Sequence, residues 1–289
     1  MKISRGEKVY LAFVYAFSII FALCCLLPVL NVFAQSLSSV TSVASGQVLF
    51  WPKNFNPEGW KYILFRTSFL QSMGNSLINT TVGTVIAIIV TILTAFALSH
   101  ENLKGRKFVI YLYVFMMIFN AGILPNYFQI KSYGMLNTRW ALILPALISP
   151  YNTFVLKNGF EGIPDSLEEA ARIDGASHFR TLISIIIPVA KASIATIVIF
   201  TAVSYWNRYF DALLYITKQK LKPAALLLYE VIKLSAQEEG RSEVELATKV
   251  SPEITNASIV VLTVLPILAV YPFMQKYFVK GVMVGSVKG

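Results

Sequence analysis

Charge is scarce in this chain: Asp, Glu, Lys and Arg make up 14% of 289 residues against 56% hydrophobic, and the mean hydropathy is +0.63. That balance excludes a soluble domain of this length, since ordinary domains carry about a quarter charged residues. Histidine occurs twice, at His100 and His178, and cysteine twice, as the neighbours Cys24 and Cys25. The cysteines fall inside an apolar run and read as small packing residues; the histidines stand alone, so no metal set is supplied. There is no Gly-x-x-x-x-Gly-Lys-Ser/Thr and no Gly-x-Gly-x-x-Gly, so the chain has no loop of its own with which to cradle a nucleotide. No Ser/His/Asp or Cys/His arrangement and no nucleophile elbow is present in credible form, which leaves no catalytic set.

What is abundant is membrane-length apolar sequence. Six stretches reach the roughly 20 residues needed to cross a hydrocarbon core: Tyr10 to Phe33, Leu70 to Leu98, Phe108 to Phe128, Trp140 to Phe160, Ala190 to Leu214 and Ala257 to Phe278. The expectation is an all-α, polytopic membrane protein of six transmembrane helices. The first run is longer than a signal-peptide core of about 7 to 15 residues, so despite the cleavage-like Val32-Phe33-Ala34 it reads as a retained span. Lys2, Arg5 and Lys8 precede the first span, Lys104, Arg106 and Lys107 separate the second from the third, and Lys276, Lys280 and Lys288 lie at or beyond the end of the sixth. Only Lys131 and Arg139 lie between the third and fourth. Basic residues gather on the cytoplasmic side, so both termini are expected there and the 215–256 loop outside. The formal charge of +10 does not point to nucleic acid, because these residues are dispersed over membrane-flanking loops, where anionic lipid and topology account for them.

One polar segment interrupts the apolar runs. Pro164 and Asp165 precede Ser166, and Ser166 with Glu169 three positions on has the spacing of a capping box, which predicts a short helix from about Leu167. Leu167, Ala170, Ala171 and Asp174 then share a face that the alanines keep flat. Gly175 suits the left-handed position past a helix end, a second helix restarts near Ser177, and Pro188 marks where that helix kinks or stops.

Glu169-Ala170-Ala171, three residues, Gly175, nine residues, then Ile185-x-x-Pro188 resembles the EAA motif of ATP-binding-cassette importer permeases, with Ile187 where leucine is commoner. Trp51-Pro52, Asn137-Thr138, Ile163-Pro164, Trp206-Asn207 and the segment from Tyr271-Pro272-Phe273 to Gly289 extend the likeness over nearly the whole chain. They resemble the MalG-type carbohydrate permeases, most of all the group that imports oligosaccharides and polysaccharide fragments. The resemblance implies a type I importer permease fold, a single permease domain over residues 1–289 in a bacterial inner membrane, and a cytoplasmic coupling loop at 163–188. It implies as partners a second homologous permease, two ATPase subunits that carry the ATP and Mg, an extracellular solute-binding protein, a carbohydrate substrate and membrane lipid. This chain itself would hold no cofactor. Glu169 would make a polar contact with an ATPase, Ala170 and Ala171 a close fit, with Asp174 on the same face and Gly175 at the turn.

Two further patterns bear on transport. Ser76, Thr80, Gly83, Thr84, Ala87, Thr91 and Ala95 recur at spacings of three and four, a stripe that lets helices approach closely and reads as a packing seam before a sugar-contacting surface. Prolines 125, 145, 150 and 266 lie inside or at the ends of spans, where freed carbonyls are tolerated if they face protein or a water-filled cavity. In the fifth span, Tyr205-Trp206-Asn207-Arg208 with Asp211 combines aromatic faces, an amide and an i, i+3 ion pair, the groups that bind sugars. An interfacial aromatic belt with a snorkelling Arg208 is the competing account. Arginine at mid-bilayer costs about 2.5 to 3.5 kcal/mol on insertion scales, so Arg208 should face water, protein or ligand. It also suggests an acidic sugar such as a uronate oligomer. A permease for another solute class is the nearest alternative, because the motif reports the engine and not the cargo. A secondary transporter would need matched broken helices and midplane charges, of which the sequence gives few.

Overall fold

A computed structural model describes residues 5–238 and 251–286, and every regular element among them is helical. In chain order these are α1 (Arg5–Ser36), α2 (Val40–Ala44), α3 (Glu58–Arg66), α4 (Phe69–Ser99), α5 (Arg106–Ile118), α6 (Ile123–Ser132), α7 (Trp140–Ile143) and α8 (Pro150–Glu161). They continue with α9 (Asp165–Ile173), α10 (His178–Thr181), α11 (Ile187–Val189), α12 (Lys191–Trp206), α13 (Tyr209–Tyr215), α14 (Ala224–Glu238) and α15 (Pro252–Ser286).

By length and composition, α1, α4 and the Pro252–Pro272 part of α15 can each cross a membrane, and up to five crossings result if two bent pairs each count as one. The remaining apolar runs are not single rods. The expected span from Phe108 to Phe128 is α5 and α6 meeting at 117°. Between them Asn120 Oδ1 accepts from the Gly122 amide at 2.8 Å and Gly122 takes φ +87°, open only to glycine without strain. The expected span from Trp140 to Phe160 is α7, a 3-10 turn at Leu144–Ala146 and α8, broken where Pro145 and Pro150 remove amide donors. The expected span from Ala190 to Leu214 divides at Asn207 and Arg208 into α12 and α13. In the 215–256 stretch α14 forms over Ala224–Glu238, while 239–250 lies outside the described residues, as do Lys2 and Lys288.

The described residues fall into two compact units. The first lies within Met1–Leu70 and Leu227–Pro266. Here a methyl on Gly59 would come within 2.5 Å of Ile254 Cγ2 and Ser258 Oγ, so the absence of a side chain is what lets α3 rest on α15. Trp60 Nε1 donates to Ser36 Oγ at 3.1 Å, and Asn31 donates to the carbonyls of Val48 and Leu49.

The second lies within Gln71–Leu226 and Ile267–Gly289 and is organised by α4. At one end of α4, Asn75 donates to the carbonyls of Lys220 and Lys222 while its own oxygen accepts from Arg139 at 2.8 Å. Most of the small-residue stripe packs closely: Ser76, Gly83, Thr84, Ala87, Thr91 and Ala95 are buried and Thr80 half-buried, Ser76 Oγ accepts from the Ala224 amide, and Ala87 and Thr91 also border a cleft. Toward the other end, Ala95 and Phe96 join Leu156, Phe160, Leu182, Ile186, Ala190 and Ile197 in a close-packed core. This core brings α8, α12 and the helix that follows the motif loop against the last turns of α4.

Candidate functional site

Two sites emerge within the second unit, a protruding arm and a cleft. The arm is α9 with its turn. Pro164, with ψ 130°, stands at the N-cap and α9 begins at Asp165, so the expected capping box does not form: no side chain caps the helix. Ser166 is already one residue inside the first turn, where its hydroxyl has no free amide ahead to accept from. Asp165 and Glu168 instead place negative charge at the positive helix end.

The C-terminal end follows the sequence expectation. Gly175 has φ +75°, its amide donates to the Arg172 carbonyl at 3.1 Å, and the Ala176 amide donates to the Ala171 carbonyl at 2.9 Å. This pair of bonds is the Schellman arrangement, which satisfies the last carbonyls of the helix. Ser177 Oγ then accepts from the Arg180 amide and starts the next helix at His178. That helix passes through a π-helical turn at Leu182–Ile186, ends at Val189 just after Pro188, and meets α12 at 85°. The stop at Pro188 agrees with the sequence, because a residue without N–H and with a bulky ring cannot extend the ladder.

The expected flat face of α9 is divided. Ala171 is 5% exposed and packs on the chain's own core side, with Glu168 turned the same way, whereas Glu169, Ala170, Asp174 and Gly175 are exposed. Ile173 is 87% exposed, an apolar side chain left bare on a polar arm that sequence reasoning passed over.

Beneath the arm, His100 and His178 do not stand alone as expected. Their ring centroids are 6.1 Å apart with planes at 89°, and His100 Nε2 is 2.9 Å from Glu168 Oε2. Nearby, Glu161 accepts from Arg106 at 2.8 Å and Lys157 at 2.6 Å, while Arg106 Nε also donates to the Leu98 carbonyl. No group of three His, Cys, Asp or Glu residues among the described residues has metal-binding geometry.

The cleft, about 290 Å³, is bounded by α4, the 145–150 segment, α8 and α12. Thr91, Asn152, Thr201, Ser204, Tyr205 and Arg208 give it its polar wall. Asn152 Nδ2 donates to Thr201 Oγ1 at 3.2 Å, and the Tyr205 hydroxyl donates to the Ile143 carbonyl at 3.0 Å. The Arg208 guanidinium lies 5.3 Å from the Tyr205 ring centroid, donates from Nη1 to Asp211 at 2.8 Å, and has Ser204 Oγ 3.4 Å from Nη2. Its Nε is buried without a partner. Of the five residues singled out in the fifth span, Tyr205 and Arg208 line the cleft and Asp211 pairs with Arg208. Trp206 is 7% exposed in the protein interior and Asn207 is the exposed residue that ends α12. Tyr205 and Trp206 are buried, while Tyr209 and Phe210 of the same stretch are exposed. Thr201 and Ser204 were missed although Thr201, Ser204, Tyr205 and Arg208 follow the i, i+3, i+4, i+7 rule of one helical face.

Comparison with known proteins identifies the family. Residues 3–284 match the family described as binding-protein-dependent transport system inner membrane component. The chain is 37% identical over 277 residues to the polygalacturonan/rhamnogalacturonan transport system permease protein YtcP of Bacillus subtilis (strain 168), covering 96% of this chain and 97% of that one. It is 40% identical over 265 residues to protein LplC of the same organism, covering 91% and 90%. Among solved structures it superposes with TM-score 0.86 and 31% identity, over 96% of this chain and 99% of the other, on a chain of a bacterial ABC transporter involved in the import of the acidic polysaccharide alginate.

Proposed function

The chain belongs to the family of binding-protein-dependent transport system inner membrane components, and from that premise we propose that it is one half of the membrane pathway of an ATP-binding-cassette importer for oligosaccharides or polysaccharide fragments, acidic ones in particular. The pathway is completed by a second, homologous permease. Two ATPase subunits on the cytoplasmic side bind ATP and Mg, and an extracellular solute-binding protein delivers the sugar. The whole chain acts as a single permease domain in a bacterial inner membrane, with both termini and the 163–188 loop cytoplasmic and the 215–256 loop outside. Six crossings are assigned to α1, α4, α5 with α6, α7 with α8, α12 with α13, and α15.

In mechanism, α9 seats in a cleft of an ATPase subunit. Glu169 makes the polar contact, Ala170 and Asp174 lie at the interface, Ala171 fixes the arm to its own chain and Gly175 sets the turn. Closure of the ATPase pair on nucleotide moves the arm, and the spans alternate between inward and outward access. The cleft supplies the sugar contacts: hydroxyls and an amide suit sugar hydroxyls, the Tyr205 ring suits a C–H face, and the guanidinium, with five N–H donors and one taken by Asp211, suits a carboxylate. Two similar proteins, one named for polygalacturonan and rhamnogalacturonan transport and one from an alginate importer, support an acidic cargo.

The observation that carries this reading is the match of residues 3–284 to the transport-permease family, joined to a Schellman-capped arm that leaves Glu169, Ala170 and Ile173 exposed on one side. The chain, tagged and purified in detergent with its transporter, brings down an ATP-binding-cassette ATPase, and Ile173→Glu loses it. Recovery of the wild-type chain with no such ATPase rejects the reading.

A further inference from the structure

His100 stands at the end of α4, the helix that supplies Thr91 to the cleft, and is held from two directions. Its Nδ1 is 2.8 Å from the Phe96 carbonyl oxygen and its Nε2 is 2.9 Å from the Glu168 carboxylate on α9. A peptide carbonyl and an ionised carboxylate both only accept, whereas a neutral imidazole offers one donor and one acceptor. Both contacts are hydrogen bonds only if a further proton is present, either making the ring an imidazolium or residing on Glu168. The two side chains are 27% and 24% exposed, so the contact is partly shielded from water.

The surroundings leave His100 committed to this bridge. From α4, the Phe96 ring meets the imidazole edge-on at 4.7 Å and Ser99 Oγ lies 3.5 Å from Nδ1. From α9 comes Glu168, and from α10 comes His178, whose ring stands perpendicular at 6.1 Å without a bond to it. The other charges nearby are paired with one another, Arg106 and Lys157 on Glu161.

We infer that the protonated His100–Glu168 bridge is a strut that carries displacement of the docking arm into α4, so that coupling between ATP hydrolysis and sugar movement depends on proton occupancy at the bridge. The inference rests on the proposed docking of α9 to an ATPase. Glu169 faces outward to that partner and its neighbour Glu168 faces inward to the strut, so adjacent residues of one helix receive and pass on the movement. From His100 the path is continuous backbone along α4 to Ala95, Thr91 and the cleft wall. His100 is a positioning residue here, touching no substrate.

The test is the ratio of oligogalacturonide imported to ATP hydrolysed, measured with the complete transporter in proteoliposomes as the arm-side pH is varied. The wild-type ratio falls as pH rises. His100→Gln and Glu168→Ala, which leaves Nε2 without a partner, each lower it roughly fivefold, the low end of ordinary coupling energies, and flatten the profile. The double variant is no worse than either alone. His100→Arg, a permanent donor to both acceptors, keeps the ratio and is flat, and His178→Gln keeps the wild-type slope. A flat wild-type profile, additive losses in the double variant, or loss of the slope with His178→Gln overturns the strut while the docking reading stands. Absence of ATP-dependent uptake by the wild-type complex removes the docking reading and the strut with it.

Discussion

Gly83 of α4 lies directly under the ring of Tyr205 of α12: a methyl built on Gly83 would stand 2.6 Å from Cε1 and 2.7 Å from Cζ. The ring therefore occupies the space a side chain would take, and its hydroxyl reaches the Ile143 carbonyl across the same contact. One glycine thus sets how α4, α7 and α12 meet at the wall of the cleft.

Gly83→Ala must push the Tyr205 ring away or separate the helices, a change that costs about 1 to 3 kcal/mol in packed interiors. The expected outcome is a lower unfolding temperature in detergent and reduced sugar uptake. Tyr205→Phe, which keeps the ring and loses only the bond to Ile143, is milder in both. Uptake by Gly83→Ala equal to wild type contradicts this account of the seam.

Gly175→Val strains the turn without meeting any neighbour, since nothing lies within 4 Å of where its Cβ would be. The left-handed backbone costs roughly 1 to 2 kcal/mol for an ordinary residue and more for a β-branched one. Membrane levels stay near normal while ATP-driven uptake falls. Gly175→Asn, tolerated in this conformation, retains much of it. Uptake unaffected by valine shows that the angle of the arm is immaterial.

Arg208→Gln removes a charged donor, and hydrogen bonds to charged groups contribute about 1.5 to 3 kcal/mol. Import of uronate oligosaccharides drops about tenfold or more, each 1.4 kcal/mol being a factor of ten. Import of their carboxyl-reduced, neutral counterparts changes little. Arg208→Lys is intermediate, because an ammonium lacks the planar fork. Competition assays between the two sugar classes measure the ratio, and equal loss for both rejects a carboxylate-reading arginine.

The turn of the motif loop was legible because its chemistry is local: a left-handed residue wants glycine, and a serine two positions on caps the next helix. The start of the same helix was misread, since Pro164 took the capping position and left Ser166 inside. Apolar runs reported how much sequence prefers lipid but not whether it forms one rod; Gly122, Pro145 and Pro150 decide that, and the breaks turned expected spans into bent or divided ones. The wall of the cleft was half legible. Thr201, Ser204, Tyr205 and Arg208 share a face by spacing, whereas Thr91 and Asn152 arrive from other helices and no local signal announces them. His100 and Glu168 meet only through tertiary packing, which is why two histidines that read as isolated turned out to flank one another.

The near-right-angle elbow at Ala190 fixes how the arm can act. On the proposed docking of the arm, a push along the His178–Val189 segment would reach α12 as a sideways sweep of its foot rather than a lengthwise slide, as in a bell-crank. Thr201, Ser204, Tyr205 and Arg208 all ride on that rod, so a short stroke outside the bilayer would tilt the cleft wall proposed to face the sugar and alter its aperture without any helix having to unwind.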